Sequence, residues 1–190
     1  MRLTLPWLTL AILAAAAAGM VLPSLGNLLG WEPGAADWRL ATCQLAHWDA
    51  NHALWDGLAV AILGWWAETR WPGRIRFTLL AALVLIPLAV HQFHGPIPFR
   101  GLSGVACALA AAGAVCTWRS ARDDLDRIIA GGLLAGLGLK ILYELSTHEA
   151  LFATAATWQP VPIAHLAGLG IGILIATLPT FATTPQTEPT

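Results

Sequence analysis

The charged residues of this 190-residue chain fall in short clusters, and long apolar stretches separate them. Only 11% of the residues are charged and 57% are hydrophobic, whereas soluble domains carry about 25% charged residues. Apolar runs of this length predict helices that cross a bilayer, because a helix satisfies its own backbone polar groups within lipid. The sequence therefore predicts a polytopic, all-α membrane protein.

Six apolar runs have the composition of membrane spans. They cover residues 3–29, 52–67, 77–90, 104–118, 128–145 and 163–178. The first run follows a short positive start and resembles a signal peptide, but it is longer than the apolar region of one, which favours a membrane helix. We therefore expect a six transmembrane helix bundle as a single membrane domain over residues 1–181, followed by a polar tail over residues 182–190.

The arginines predict the orientation of this bundle. Six spans place both termini on one side of the membrane, and cytoplasmic loops are enriched in Lys and Arg. The side shared by the termini carries most of the arginines, namely Arg2, Arg70, Arg74, Arg76, Arg119, Arg122 and Arg127, and only Arg39 and Arg100 fall on the other side. We expect cytoplasmic termini in a multi-pass protein of a bacterial inner membrane. The histidines then lie at or near the outer ends of the spans: His47, His52, His91, His94, His148 and His165.

A serine between two glycines, in the segment Gly101-Leu102-Ser103-Gly104, opens the fourth span. Since every even-numbered span begins at the outer face, His52, Ser103 and His165 each open a helix at the same side. A serine hydroxyl is a poor nucleophile until a base takes its proton, and His165 is the best candidate base. The alternatives are that Ser103 caps or packs its helix and that His165 is an interfacial polar residue.

Small residues are repeated along the two helices that carry this serine and this histidine. Such residues let helices approach closely in a membrane. We therefore expect the two faces to pack together and to bring Ser103 near His165; they are formed by Gly104, Ala108 and Ala112 on one helix and by Gly168 and Gly172 on the other.

Two further pairs of polar residues are spaced four apart on predicted helices. His52 and Asp56 share one face, where they would stabilise an oxyanion, orient other groups, or form a local structural hydrogen bond. Lys140 and Glu144 fit a buried structural ion pair in the fifth span. The sequence indicates no acidic residue that would orient His165, so a Ser–His dyad is expected.

Three segments resemble the motifs of the rhomboid family of intramembrane serine proteases. Residues 38–68, WRLATCQLAHWDANHALWDGLAVAILGWWAE, resemble its pattern of a Trp-Arg pair, a Thr, two spaced His, and later Gly and Glu. Gly101-Leu102-Ser103-Gly104 resembles the GxSG nucleophile motif. Ala164-His165-Leu166-Ala167-Gly168, with Gly172, resembles the AHxxG(x)₃G base motif. The three motifs occur in the family's order and on the corresponding spans.

This resemblance implies a Ser103–His165 dyad that cleaves substrate transmembrane segments near the outer face without a metal or an organic cofactor. It places Trp38-Arg39 in a membrane-embedded loop and gives His52 and the Gly101 turn a supporting role at the oxyanion. The family usually has Asn where this chain has Asp56. An ionised carboxylate would repel an oxyanion, so Asp56 is protonated, points away, or pairs with a histidine such as His52.

The short six-span form is similar to the rhombosortase subgroup, whose substrates are membrane-anchored proteins with a C-terminal Gly-Gly sorting tail. The pair Lys140 and Glu144 is then either a feature of this subgroup or the structural ion pair described above. Two other classes stay open. One is a catalytically inactive rhomboid-like protein that binds membrane helices, which Asp56 favours. The other is a metal-binding or transport protein that uses histidines such as His91 and His94. The net charge of −1 gives no argument for nucleic acid as a partner.

Overall fold

The computed structural model describes residues 4–151 and 159–179 and is helical throughout these ranges, apart from loops. The α-helices are α1 (Trp7–Val21), α2 (Pro23–Leu29), α3 (Ala50–Arg70), α4 (Pro72–His94), α5 (Ser103–Ser120), α6 (Asp124–Thr147) and α7 (Pro162–Thr177). Two short 3₁₀ helices, Asp37–Ala41 and Cys43–Leu45, lie between α2 and α3. The polar tail expected over residues 182–190 lies outside the described residues.

The single helix predicted over residues 3–29 is wrong, because the chain breaks at Leu22. Helices α1 and α2 meet there at an angle of 119°. Pro23 is the first residue of α2, a position where its missing N–H costs no hydrogen bond. The residue before a proline is held away from the helical region, and Leu22 is indeed extended, with φ −113° and ψ 91°.

Helix α4 is longer than predicted and contains a proline in its interior. His91 and His94 lie in its last turn instead of following it, and Gly95 ends the helix with φ 78°. Pro87 cannot donate to the carbonyl of Leu83. The buried side chain of Gln44 donates to the carbonyls of Ala82 and Leu83, at 3.0 and 3.1 Å. The loop before α3 is thereby fastened to the middle of α4.

The helices of the described region have the surface of a membrane protein. By length and composition, α4 and α6 can each cross a bilayer, and the bent pair α1–α2 is a third candidate if it forms one span; α7 is apolar but shorter. Large apolar side chains are exposed along α3 and α6, among them Leu54, Leu58, Ile62, Leu139 and Leu142. An exposed apolar surface of this extent fits contact with lipid. The count of six spans stays a prediction.

Helix α5 is the centre of the bundle and packs against α3, α4, α6 and α7. Its residues from Gly104 to Ala114 are all buried. The closest packing is with α7, where a Cβ atom added to Gly168 would overlap the carbonyl group of Gly104. A Cβ atom on Gly172 would overlap the carbonyl of Ala108 in the same way. The backbones of α5 and α7 are therefore in direct contact.

Charged side chains fasten the helices at the ends remote from Ser103. The buried carboxylate of Glu68 accepts from the backbone N–H of Thr9 at 2.8 Å and from Arg76 at 2.8 Å. Arg74 donates to the carbonyls of Ala176 and Leu178, at 2.6 and 3.0 Å, at the C-terminus of α7. Because the N-terminus of α1 and the C-terminus of α7 are both held by α3 and α4, these contacts fix the frame in which α5 sits.

The contact between α5 and α7 predicts a large effect of Gly168→Ala. The new methyl group would force the two backbones apart, and overpacking of this kind costs about 1–3 kcal/mol. The midpoint of thermal unfolding in detergent should fall. Gly170→Ala is the matched control, because Gly170 lies on the same helix with open space around it. An equal fall in both variants would contradict the backbone contact.

Candidate active site

Ser103 is the first residue of α5, directly after a turn whose backbone conformation strongly favours glycine. Gly101 has φ 112°, a conformation that L side chains rarely adopt. A Cβ atom there would lie 2.6 Å from the His52 ring and 2.9 Å from Asp56 Oδ2. The backbone N–H of Leu102 donates to the same Asp56 oxygen at 2.6 Å. The turn therefore packs directly against α3, and this contact sets the position of Ser103.

The structure brings Ser103 and His165 into hydrogen-bond contact. His165 Nε2 lies 2.9 Å from Ser103 Oγ. His165 is only 4% exposed and lies in the first turn of α7, which begins at Pro162. Because α5 and α7 touch at Gly104, which directly follows Ser103, and at Gly168, three residues past His165, the two polar side chains face each other at the ends of their helices.

Glu144 on α6 contacts the other nitrogen of the same imidazole. Its Oε2 atom lies 2.6 Å from His165 Nδ1, and the residue is 1% exposed. A carboxylate only accepts hydrogen bonds, so a contact this short places a proton on Nδ1. In the neutral imidazole, Nε2 is then left with a lone pair that faces the hydroxyl of Ser103. The expectation that no acidic residue orients His165 is therefore wrong.

Lys140 completes this cluster from one turn earlier on α6. Its Nζ atom donates to both carboxylate oxygens of Glu144, at 2.7 and 2.8 Å. It also lies 3.2 Å from His165 Nδ1, but a protonated Nδ1 leaves no acceptor there. The predicted ion pair is present, and sequence reasoning missed its contact with His165. The sequence did contain a hint of this contact. In the predicted order of spans, the fifth ends at the membrane face where the sixth begins, which places Glu144 and His165 at the same depth.

Asp56 forms a second polar cluster on the opposite side of Ser103. Its Oδ2 atom lies 3.2 Å from His52 Nε2, so of the three arrangements open for Asp56 the structure shows pairing with a histidine. The Nε2 atom of His47 lies 3.3 Å from the same oxygen, within ion-pair distance but not aligned for a hydrogen bond. Sequence reasoning placed His47 at the outer face but gave it no partner.

A cavity of about 730 Å³ opens beside the serine between α3 and α6. Ser103, His165, His52 and Asp56 line it together with Lys140 and Glu144. Its apolar lining includes Leu58, Ile62 and Leu137. Gly104, Gly168 and Gly172 lie instead at the interface of α5 and α7, and Gly101 lies in the turn that packs against His52 and Asp56. The cavity therefore joins a polar end at Ser103 to an apolar groove.

The outer histidines that suggested a metal site do not gather around one. Within residues 4–151 and 159–179, no group of three or more His, Cys, Asp or Glu side chains is arranged to hold a metal ion. His91 packs edge-on against the Trp31 ring, with centroids 5.4 Å apart. His94 lines the mouth of the cavity.

Comparison with known proteins gives the family. No curated protein matches the sequence. A family model, the rhomboid domain, matches residues 35–180, which is more than half of the chain and includes every site residue described above. Rhomboid family members are intramembrane serine proteases, which agrees with the all-helical fold and the exposed apolar surface. The resemblance seen in the sequence motifs is thereby confirmed, and this chain belongs to the rhomboid family.

Proposed function

We propose that this protein is an intramembrane serine endopeptidase that cuts membrane-anchored proteins near the outer face of the bilayer. One observation carries the proposal: His165 Nε2 lies 2.9 Å from Ser103 Oγ at the polar end of a cavity. A base in hydrogen-bond contact with a hydroxyl is the arrangement that activates a serine nucleophile. The cavity gives a peptide segment access to that hydroxyl.

The proposed reaction is acyl transfer in two steps. His165 Nε2 takes the proton of Ser103 while Oγ attacks the scissile carbonyl carbon of an unwound substrate segment. His165 then gives this proton to the leaving amine as the C–N bond breaks, which leaves an acyl-enzyme. Water attacks the acyl-enzyme, His165 takes its proton, and the acid product leaves Ser103 with its hydroxyl restored. No metal or organic cofactor is required in this sequence.

The oxyanion would form beside the N-terminus of α5. The first N–H groups of a helix have no partner within it, and the helix dipole favours negative charge at that end. The N–H of Ser103 belongs to this set because α5 begins there. His52 lines the same cavity and is the second candidate donor. Asp56 supports this arrangement by holding the Leu102 N–H and by pairing with His52.

The proposed substrates are proteins held by a transmembrane or C-terminal membrane anchor, with Gly-Gly sorting tails of the rhombosortase type as the specific class. Glycine has a low helix propensity, so such a tail unwinds readily and exposes its carbonyl groups. The apolar groove formed by Leu58, Ile62 and Leu137 is suited to the anchor that follows the cut.

The proposed setting is a bacterial inner membrane, with six spans, cytoplasmic termini and a site open to the outer side. The inner ends of α3 and α4 carry the arginines Arg70, Arg74 and Arg76. The polar end of the cavity lies at the opposite ends of these helices, where α3 and α5 begin. Water reaches the acyl-enzyme from that side in this orientation.

Ser103→Ala and His165→Ala should each abolish cleavage. The assay uses a reporter protein with a C-terminal Gly-Gly motif, one apolar span and basic residues, mixed with the protease in detergent or vesicles. Loss of the nucleophile or of its base removes the covalent step, so the product band should fall by about 10³-fold or more. Ser146→Ala is the matched control, because that exposed serine lies on α6 away from His165.

Full cleavage by either folded variant would exclude the proposed pair. If the wild-type protein binds the reporter in a pull-down but never cuts it, the protein is instead an inactive rhomboid-like protein that binds membrane helices.

Asp56→Asn should keep or raise the cleavage rate. The amide oxygen still accepts from the Leu102 N–H, and the negative charge near the developing oxyanion is removed. Asp56→Ala should lower the rate by about tenfold, because the loss of an acceptor leaves a buried N–H unsatisfied at the turn. Initial rates with the same reporter measure both variants. A collapse of activity in Asp56→Asn would show that the carboxylate itself is needed.

A further inference from the structure

The cluster formed by Lys140, Glu144 and His165 is more than an ion pair within one helix. A pair that only stabilised α6 would need no contact between the carboxylate and another helix. Instead, Glu144 Oε2 is shared between Lys140 Nζ at 2.8 Å and His165 Nδ1 at 2.6 Å. The contact to the imidazole, on another helix, is the shorter of the two. The carboxylate is therefore aimed at the base.

We propose that Glu144 is the positioning residue for His165, so that the site operates as a Ser103–His165–Glu144 triad with Lys140 as the counter-charge. This inference rests on the proposed function and deepens it. Glu144 holds the proton on Nδ1 and fixes the plane of the ring, which keeps the Nε2 lone pair directed at Ser103 Oγ. It also stabilises the imidazolium that forms when His165 takes the serine proton.

The packing of α6 explains why this contact matters. Helix α6 packs mainly against α5 and touches α7 only over a short stretch. The contact between α6 and the imidazole is therefore chiefly the hydrogen bond between His165 Nδ1 and Glu144. A hydrogen bond is directional, so it fixes the orientation of the ring, which apolar packing would not do. Buried charge is costly unless it is paired. The side chain of Glu144 is 2% exposed, so its charge needs a partner within the protein. Lys140, whose side chain is 18% exposed, is that partner.

Lys140 also sets the charge around the base. The groups that surround His165 are Glu144 and Lys140 on α6 and Ser103 on α5, with His52 and Asp56 on α3 and His94 on α4 across the cavity. Glu144 and Lys140 carry opposite charges, and both lie within 3.2 Å of the imidazole nitrogen Nδ1. Lys140 therefore compensates the charge of the buried carboxylate directly beside the base.

The first test is Glu144→Gln in the cleavage assay with the Gly-Gly reporter. The rate constant kcat should fall by about 100-fold or more, because the amide no longer specifies the Nδ1 proton, while KM changes little. Glu144→Asp should recover part of the loss. Glu149→Gln is the matched control, since Glu149 is an exposed acid just beyond α6. If folded Glu144→Gln keeps kcat within about threefold of wild type, the triad is excluded.

The second test reads the proton directly and needs no turnover. Protein labelled with ¹⁵N-histidine should show a far-downfield N–H proton from the 2.6 Å contact of His165 with Glu144, which is much shorter than the 3.2 Å contact of His52 with Asp56. This signal should persist in Ser103→Ala and vanish in Glu144→Gln and in His165→Ala. Persistence in Glu144→Gln, or a proton on Nε2 of His165 in Ser103→Ala, would overturn the proposal. Cleavage of the reporter by Ser103→Ala would refute the proposed protease function. The N–H signal would still test whether Glu144 holds the proton of His165.

The third test is Lys140→Met, which removes the counter-charge and keeps the length of the side chain. The rate constant kcat should fall by about tenfold or more, because the buried carboxylate of Glu144 loses its paired charge and is no longer held in one position beside His165. Lys140→Arg should restore most of the wild-type rate. An unchanged kcat in folded Lys140→Met would exclude the role of Lys140.

Discussion

The direct contact between the backbones of α5 and α7 is the constraint on which the rest of the structure depends. Glycine at 168 and at 172 removes the side chains that would otherwise separate the two helices. Since lipid supplies no hydrophobic drive between helices, close van der Waals packing of small residues is what holds such a pair together. Ser103 and His165 lie at the ends of this contact, and their 2.9 Å separation follows from it.

Around this contact, two buried polar clusters flank the serine and hold different parts of the site. Asp56 links α3 to the turn before Ser103 through the N–H of Leu102. Glu144 links α6 to the imidazole of His165. In a low-dielectric interior such contacts are strong when satisfied and costly when broken, so each cluster fixes its helix in one position. The serine is thus located by α3 and the base by α6, while α5 and α7 set the distance between them.

Much of this arrangement could be predicted from the sequence, because apolar runs and the alternating direction of successive spans can be read along the chain. The apolar runs predicted α3 to α7, and the small-residue faces indicated which helices pack at Ser103. The bend at Leu22 was missed because apolarity alone does not show that Pro23 starts a new helix. The contact between Glu144 and His165 was missed because it depends on how α6 rotates against α7. The spacing of Glu144 to Lys140 already explained the residue as an ion pair, and rotation of a helix is a tertiary property.

The measurement that tests the central claim most directly is covalent labelling of the serine. The detergent-solubilised protein is treated with a fluorophosphonate probe, which reacts only with an activated hydroxyl, beside Ser103→Ala and His165→Ala. Labelling is expected on Ser103 in the wild-type protein and is expected to disappear in both variants. Absence of labelling in folded wild-type protein, including with a small isocoumarin probe that enters the cavity, would contradict an activated serine at this site.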